Sequence, residues 1–461
     1  MTNKNILDEL LSSFKDGILK KWYPLVVDKE YGGYFSNVSY NWKILSRQEK
    51  MIVTQARHVW TLSKASSFLN EEIFKEQAYH GYKFLKSKMW DNEFGGFYQM
   101  RSREGGMSDS EGYFDEKRMY GNAYGIFALA ALYELTKDNE VLNFEKEVFK
   151  WVENKFADKK YNGYFQFLTR QGIPFNKNSE YKTKASDAVE VGYKDQNSSI
   201  HLLEAYTELY NVWKSPELYD RLKNILFLIR DIIATEKGYL NLFFDDKWNP
   251  VSFRDAPEDI RKKNYRLDHV SFGHDYETAF LMLEASHALG LKDDITTLRK
   301  AKLMVDHAIE NGWDKSNAGF FEEGYYFKKD GNCEIIKGTK VWWAQAEGLN
   351  ALLLFSKIFP EEERYYELFL QLWDYVKKYL LDNKYGDWFW GSLEKEPFYK
   401  TEPKGTIWKG TYHTSRALMN CIKMLADDEF ELMKASKEFK KQKNSFDEFI
   451  EQWKKIVKDL S

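Results

Sequence analysis

The segment Gly32-Gly33-Tyr34-Phe35 is the first of six related segments, and their recurrence decides the fold. Each segment sets glycine next to aromatic or large apolar residues. The other five are Gly95-Gly96-Phe97-Tyr98, Gly163-Tyr164-Phe165, Gly238-Tyr239-Leu240, Gly319-Phe320-Phe321 and Gly386-Asp387-Trp388-Phe389-Trp390. Successive segments lie 63 to 81 residues apart, which is long enough for two helices and their connections. The repeat therefore predicts six helical hairpins.

The stretches between these segments have two kinds of helical pattern. One stretch carries apolar residues at spacings of three and four, with charged residues between them, at Tyr365, Phe369, Leu372, Val376 and Tyr379. This pattern predicts an outer helix with one buried face. Ala123 to Leu135 and Ala279 to Leu291 are apolar or small on nearly all sides, which is typical of inner helices. We predict an all-α fold, an (α/α)6 barrel of six helical hairpins in a ring, with short strands and loops at one mouth.

The domain organisation follows from composition along the chain. No linker rich in proline, glycine or serine divides it, so residues 1–427 are predicted to form one catalytic barrel domain. Residues 428–461 are highly charged and are predicted to form a helical C-terminal extension.

The overall charge gives no reason to expect a nucleic acid or membrane partner. Lys and Arg number 68 and Asp and Glu number 71, a net charge of −3, so the expected partner is a neutral small molecule. Cys333 and Cys421 are too few for a disulfide framework, which agrees with a cytoplasmic location. The sequence has no run of about 18 apolar residues, so no membrane span is expected. The expected assembly is a monomer or a homodimer.

Aromatic residues make up 17% of the chain. Their flat faces pack helices together and also stack on the apolar faces of sugar rings, so the excess agrees both with a helical core and with carbohydrate binding.

Three of the eight histidines, His201, His274 and His413, fall at the starts of predicted inner helices. Imidazole suits proton transfer near neutral pH because its unperturbed pKa is about 6.5. Glu277 lies three residues after His274, on the same helix face, and is expected to orient its imidazole. Two other interpretations stay open: each histidine can be a hydrogen-bonded core residue, and His274-x-x-Glu277 has the spacing of a metal-ligand pair.

Arg57 lies in an aromatic, helical context, where it fits either a surface ion pair or a group that holds developing oxyanion charge. No glycine-rich phosphate loop followed by Lys-Ser or Lys-Thr occurs, and no cluster of cysteines. We therefore expect no cofactor and no metal.

A set of motifs around these residues resembles the N-acylglucosamine 2-epimerase superfamily, and within it the cellobiose 2-epimerases, over roughly residues 15 to 427. The motifs are Gln55-Ala-Arg57-His-Val-Trp60, Lys117-Arg-Met-Tyr120-Gly-Asn122, Asn197-Ser-Ser-Ile-His201, Phe243-Phe-Asp-Asp-Lys-Trp248, Gly273-His274-Asp-Tyr-Glu277, Lys340-Val-Trp342-Trp343-Ala-Gln-Ala-Glu347, Gly386-Asp-Trp388-Phe-Trp390 and Trp408-Lys-Gly-Thr-Tyr-His413. The fold of that superfamily is an (α/α)6 barrel, in agreement with the repeat.

The resemblance implies roles for individual residues. His274 and His413 would act on opposite sides of C2 of a ring-opened sugar, one removing the proton to give a cis-enediolate and the other returning it. His201 would assist ring opening, and Arg57 would hold the enediolate. The expected substrate-binding residues are Tyr120, Asn122, Asn197, Trp342, Trp343, Glu347 and Trp408.

The sequence departs from the family at three places. Asn122 stands where glutamine is common, and Asp387 where glutamate is usual. Ala256 to Leu267 looks like an insertion before the His274 segment, where it is expected to reshape the mouth of the pocket.

The function expected from the resemblance is 2-epimerisation of a reducing-end glucose or mannose unit, free or in a disaccharide of the cellobiose or mannobiose type. Aldose–ketose isomerisation of the mannose/fructose type is the nearest alternative, because the same enediolate gives a ketose when the proton returns to C1. Glycoside hydrolysis by Glu277, Glu347 or Asp387 is a second class of function, and non-catalytic sugar binding is a third.

Overall fold

The structure is a computed structural model that describes residues 3–108, 115–175, 191–328 and 331–459. In chain order the α-helices are α1 Asn3–Ser12, α2 Lys20–Trp22, α3 Ile52–Leu69, α4 Glu72–Phe84, α5 Met119–Thr136, α6 Asn139–Lys155, α7 Gln196–Val212, α8 Pro216–Leu228, α9 Glu258–Asp268, α10 Phe272–Ala288, α11 Ile295–Gly312, α12 Trp342–Ile358, α13 Arg364–Tyr379, α14 Tyr412–Leu425, α15 Glu431–Ala435 and α16 Lys437–Lys458. The π-helical segments Ser13–Leu19, Leu85–Met89 and Ile229–Ile233 continue α1, α4 and α8.

Six inner helices form a closed ring. Each inner helix contacts the next in the order α3, α5, α7, α10, α12 and α14, and α14 contacts α3. An outer helix packs against each of them: α4 on α3, α6 on α5, α8 on α7, α11 on α10, α13 on α12 and α1 on α14. The predicted (α/α)6 barrel is confirmed. In α13 the buried residues include Tyr365, Phe369, Leu372 and Val376, on the predicted apolar face.

Short antiparallel strands link neighbouring repeats at one mouth of the ring. In chain order they are β1 Lys50–Met51, β2 Met100–Arg101, β3 Lys117–Arg118, β4 Phe167–Leu168, β5 Lys194–Asp195, β6 Phe243–Phe244, β7 Val270–Ser271, β8 Glu323–Tyr326 and β9 Cys333–Lys337. The pairs are β1 with β2, β3 with β4, β5 with β6, and β8 with both β7 and β9. Since β1, β3, β5 and β7 end where an inner helix begins, this mouth holds the N-termini of those helices.

The glycine segments are bound to the inner helices by side-chain amides. Gln55 of α3 accepts a hydrogen bond from the Tyr34 N–H at 2.8 Å and donates one to the Tyr34 carbonyl at 2.8 Å. Gln345 of α12 binds the backbone of Phe320 in the same way. Gly33 has φ +66°, and a Cβ there would lie 2.5 Å from Gln55 Oε1, so only glycine permits this approach.

The opposite mouth is covered by α16. Phe439, Phe446, Phe449 and Trp453 are among its buried residues, and it packs on α3, α10, α12 and α14. His287, at the C-terminal end of α10, hydrogen-bonds Gln452 at 2.7 Å. The boundary between a barrel domain and an extension at residue 427 stays a prediction. Among the described residues, no helix is long and apolar enough to cross a membrane.

Candidate active site

Three histidines lie in the first two turns of inner helices, at the mouth that carries the strands. The helix α10 begins at Phe272 and ends at Ala288, so His274 is in its first turn. His413 is the second residue of α14, and His201 lies in the second turn of α7. Because these helices surround one axis, their N-terminal side chains converge.

His274 and His413 both lie close to one indole ring. The centroid of Trp343 is 4.8 Å from that of His274 and 5.6 Å from that of His413. Nδ1 of His274 is 2.8 Å from Ser271 Oγ. The expectation that Glu277 orients His274 is wrong: the Glu277 carboxylate points inward to Arg416 and lies 3.8 Å from Nδ1 of His413.

His413 is oriented by a carboxylate from another helix. Its Nδ1 is 2.7 Å from Glu347 Oε1. Burial and the positive charges of Arg57 and Arg416 lower its pKa well below the ordinary value. Burial also lowers the pKa of His274, to about 3. Both imidazoles are therefore neutral at neutral pH and able to accept a proton.

His201 has a carboxylate one turn further along its own helix. Nδ1 of His201 is 2.9 Å from Glu204 Oε2 and 3.0 Å from the Tyr124 hydroxyl. Burial would raise the pKa of Glu204, but Arg416 and His201 lower it to about 2. A stable carboxylate thus faces Nδ1, and within the described ranges no side chain hydrogen-bonds to Nε2 of His201, His274 or His413.

Arg57 projects from α3 toward the same space and is buried. Its Nη2 donates to the hydroxyls of Tyr120 and Tyr124 at 2.9 and 2.8 Å. The sequence left a surface ion pair open for Arg57, but its partners are two phenols and a backbone carbonyl of Trp408. A buried cation without a carboxylate partner can hold an oxyanion.

Below the histidines, Arg416 of α14 binds three carboxylates from three other helices. Nη1 binds Glu204, while Nη2 binds both Glu277 and Glu347, the latter at 2.7 Å. Ligand-type atoms of Glu277, Glu347 and His413 lie within 4.8 Å of one another, as in a metal site. Arg416 binds Oε1 of both carboxylates, so a protein cation already offsets their charge. Their Oε2 atoms are buried and have no hydrogen-bond partner within the described ranges.

A cavity of about 200 Å³ opens beside His274. Four predicted residues line it: Tyr120, Asn197, His274 and Trp408. Its outer wall includes Phe167, Phe243, Arg266 and His269. The segment expected to be an insertion, Ala256 to Leu267, contributes most of α9, and Arg266 of that helix borders the cavity.

Four predicted substrate-binding residues are not among those that line this cavity: Asn122, Trp342, Trp343 and Glu347. Asn122 is fully buried, and its amide bonds the Phe97 N–H at 2.8 Å and carbonyl at 3.2 Å, the role that Gln55 has in the first repeat. The assignment of Asn122 to the substrate is therefore wrong. Trp342 packs on Trp390 with ring centroids 4.4 Å apart, and its assignment to the substrate stays a prediction.

The sequence interpretation missed Glu204, Tyr124, Tyr412 and Arg416. A signal for two of them was available, because each site histidine has a charged residue three positions later. These are Glu204, Glu277 and Arg416. Residues at i and i+3 share a helix face, so the second member of each pair lies one turn deeper along the barrel axis, and there the three meet.

Comparison with known proteins agrees with this architecture. The model of the N-acylglucosamine 2-epimerase (GlcNAc 2-epimerase) family matches residues 33–417. The cellobiose 2-epimerase of Ruminococcus albus is 30% identical over 424 residues, which cover 90% of this chain and 98% of that protein. The D-mannose isomerase of Marinomonas mediterranea is 23% identical over 409 residues, 88% of this chain and 94% of that one.

A solved structure is similar over the same extent. The cellobiose 2-epimerase of Bacillus thermoamylovorans superposes with a TM-score of 0.78 at 25% identity, covering 91% of this chain and 99% of that chain.

Proposed function

This chain belongs to the N-acylglucosamine 2-epimerase family and is a sugar isomerase of the epimerase type, and we propose that it inverts C2 of a reducing-end glucose or mannose unit. The observation that best supports this proposal is that His274 and His413 both lie within 6 Å of the Trp343 ring. Epimerisation needs a proton acceptor and a proton donor on opposite faces of one carbon, and two imidazoles close to one stacking ring are suited to these roles.

The first step is opening of the sugar ring, which exposes the C1 aldehyde. The ring oxygen must gain a proton and the C1 hydroxyl must lose one. Nε2 of His201 has no protein partner among the described residues, while Glu204 holds Nδ1. His201 can therefore exchange a proton with the sugar without turning its ring.

The second step is removal of the C2 proton by one neutral imidazole. The electrons of the C2–H bond form a C1–C2 double bond, and the carbonyl electrons move to O1, giving a cis-enediolate. Arg57 lies beside Tyr120, which lines the cavity, and its charge opposes that of the enediolate oxygen.

The third step returns a proton to the opposite face of C2. The second imidazole must carry that proton on Nε2, and the negative enediolate next to it favours the protonated form. Because the donating imidazole obtains its proton from water, the hydrogen at C2 of the product comes from solvent. The first imidazole then loses its proton to water, and the cycle closes.

The substrate class is proposed as the glucose or mannose unit, free or at the reducing end of a β-1,4-linked disaccharide. The named relatives include a cellobiose 2-epimerase. Beyond His274, the cavity continues to Phe167 and Phe243, whose rings can contact a second sugar unit.

The test is incubation in D₂O with cellobiose, mannobiose, glucose and mannose, followed by chromatographic separation of aldoses and ketoses and NMR of C2. We expect the C2 epimer of at least one sugar, with deuterium at C2. Formation of an epimer without solvent deuterium, or no reaction of any of the four sugars, would contradict the proposal.

Aldose–ketose isomerisation is the second candidate, supported by the similarity to a D-mannose isomerase. The same enediolate gives a ketose when the proton is delivered to C1, and the same incubation would then yield fructose from mannose. Glycoside hydrolysis has less support, because its candidate acids are already bound: Glu277 and Glu347 by Arg416, and Asp387 by Lys409 at 2.8 Å.

A further inference from the structure

We propose that Arg416 is a positioning residue that sets the proton position on two site histidines at once, His201 and His413. The inference rests on the proposed function and extends it: ring opening and proton transfer at C2 would depend on one buried guanidinium. Arg416 belongs to no motif that marked the site in the sequence, and it lies beneath the histidines instead of in the cavity.

Two series of contacts, which we call branches, start at the Arg416 guanidinium and end at a histidine. On one branch, Nη1 of Arg416 binds Oε1 of Glu204, whose Oε2 is 2.9 Å from Nδ1 of His201. On the other, Nη2 binds Glu347 Oε1 at 2.7 Å, and the same oxygen is 2.7 Å from Nδ1 of His413. Each branch is thus guanidinium, carboxylate, imidazole.

The charge of each carboxylate decides which imidazole nitrogen carries the proton. An ionised carboxylate only accepts hydrogen bonds, so Nδ1 must be the N–H and Nε2 keeps its lone pair. A protonated carboxyl group could instead donate to Nδ1, which would move the N–H to Nε2 and remove the base. Burial raises the pKa of Glu347, and Arg416 opposes that rise.

An arginine is required at position 416 because its three carboxylate partners lie on three different helices. The two terminal nitrogens bind carboxylates on α7, α10 and α12 simultaneously. A lysine ammonium is a single point charge and cannot occupy both ends of the fork. Tyr412 adds a hydroxyl to the Glu204 carboxylate, which leaves that oxygen fully engaged.

Loss of Arg416 should raise the pKa of the His413 imidazole. The charged or titratable groups that face it are Arg57 on α3, His201 on α7, His274 and Glu277 on α10, Glu347 on α12 and Arg416 itself. Removing a positive neighbour raises the pKa of an imidazole that burial and that neighbour had lowered. The pH at which activity falls on acidification should therefore move upward.

The experiment compares three variants that separate the branches. Ring opening is measured by NMR exchange between the α and β anomers of cellobiose, and proton transfer by deuterium uptake at C2 in D₂O. We expect E204Q to slow anomer exchange mainly, E347Q to slow C2 uptake mainly, and R416Q to slow both at least tenfold with little change in KM. R416K should fall between R416Q and the wild type.

Control variants distinguish a loss of folding from a loss of histidine positioning. K50M removes a buried cation bound to Asp28 in the first repeat and should retain both rates per folded molecule. If R416Q does not fold, R416K decides the question, because its single ammonium cannot hold both carboxylates and should slow at least one of the two rates. A folded R416K with both rates at the wild-type value would then overturn the inference. A folded R416Q that keeps either rate at the wild-type value would overturn the inference.

A second readout does not depend on turnover. In protein labelled with ¹⁵N-histidine, Nδ1 of His201 and His413 should give protonated-type signals in the wild type, and both should change in R416Q. If the wild type converts no sugar, the proposed function fails but this readout still tests Arg416. Unchanged histidine signals in R416Q would overturn the inference alone.

Discussion

Buried charges occur in two regions of this barrel, and they are arranged in different ways. Around the mouth, five repeats each pair one lysine with one aspartate. The pairs are Lys50 with Asp28, Lys117 with Asp91, Lys194 with Asp158, Lys340 with Asp314 and Lys404 with Asp382, at 2.7 to 3.0 Å. On the axis, one guanidinium meets three carboxylates, and two of these hold imidazoles.

The difference separates a structural use of charge from a chemical one. Four of these lysines, Lys50, Lys117, Lys194 and Lys340, also donate to a backbone carbonyl near the glycine segment, as Lys340 does to Ala318 at 2.8 Å, so these pairs close the loops of the repeat. The axial cluster has more carboxylates than cations, and within the described residues the Nε2 atoms of the two imidazoles that it holds have no protein partner. Only the second region can exchange protons with a ligand.

The largest effect is expected from removing either imidazole of the proposed two-base pair. His274→Asn and His413→Asn should each lower turnover at least about 10²-fold, the low end for a general acid or base. The thermal midpoint should stay close to that of the wild type, because asparagine keeps a hydrogen-bonding side chain at both positions. Steady-state kinetics with calorimetry measure both; wild-type turnover in both variants would refute the two-histidine mechanism.

At the mouth we expect a loss of stability without a loss of turnover. Lys50→Met should lower the free energy of unfolding by about 3 kcal/mol, since it leaves Asp28 buried with Arg103 as its remaining charged partner. Turnover per folded molecule should not change. Urea denaturation and active-site-normalised kinetics test this, and a specific loss of turnover would mean that the mouth pairs take part in the reaction.

The barrel could be predicted because its signal is periodic. The glycine segments recur six times, and glycine is required where Gly33 has a positive φ and approaches Gln55. The site was predicted in part, because His201, His274 and His413 share a position near the start of inner helices. The remaining partners could not be assigned, since Glu347 reaches His413 from another helix, and sequence spacing carries no information about such contacts.

The error about Asn122 has a physical cause. Asn122 and Asn197 are both polar residues near the start of an inner helix, so residue type alone does not separate them. In the structure, Asn122 is the fourth residue of α5 and bonds the backbone of Phe97, while Asn197 is the second residue of α7 and lines the cavity. A difference of two helix positions thus separates an amide that binds backbone from one that faces the cavity.

A smaller effect is expected from this pair of asparagines. Asn122→Ala should cost about 1–3 kcal/mol of stability, since the Phe97 N–H loses its buried partner, and kcat/KM should stay unchanged. Asn197→Ala should lower kcat/KM about tenfold with little change in stability, because its buried Oδ1 has no partner among the described residues. Exchanged outcomes would reverse the assignment of the two amides.

The smallest effect is expected from removing metal ions. Among the described residues, Glu277, Glu347 and His413 form the one group with metal-ligand geometry, and Arg416 binds both of its carboxylates. A divalent cation there would lie next to a fixed positive charge in a buried site, which is unfavourable. Overnight treatment with EDTA should leave turnover unchanged, and added Zn²⁺ should not raise the thermal midpoint of the wild type.

R416Q sharpens the test, because without the guanidinium the same three ligand atoms become available, and Zn²⁺ should then stabilise the variant. A loss of wild-type activity that one divalent ion restores would show that a metal, and not Arg416, balances the axial carboxylates.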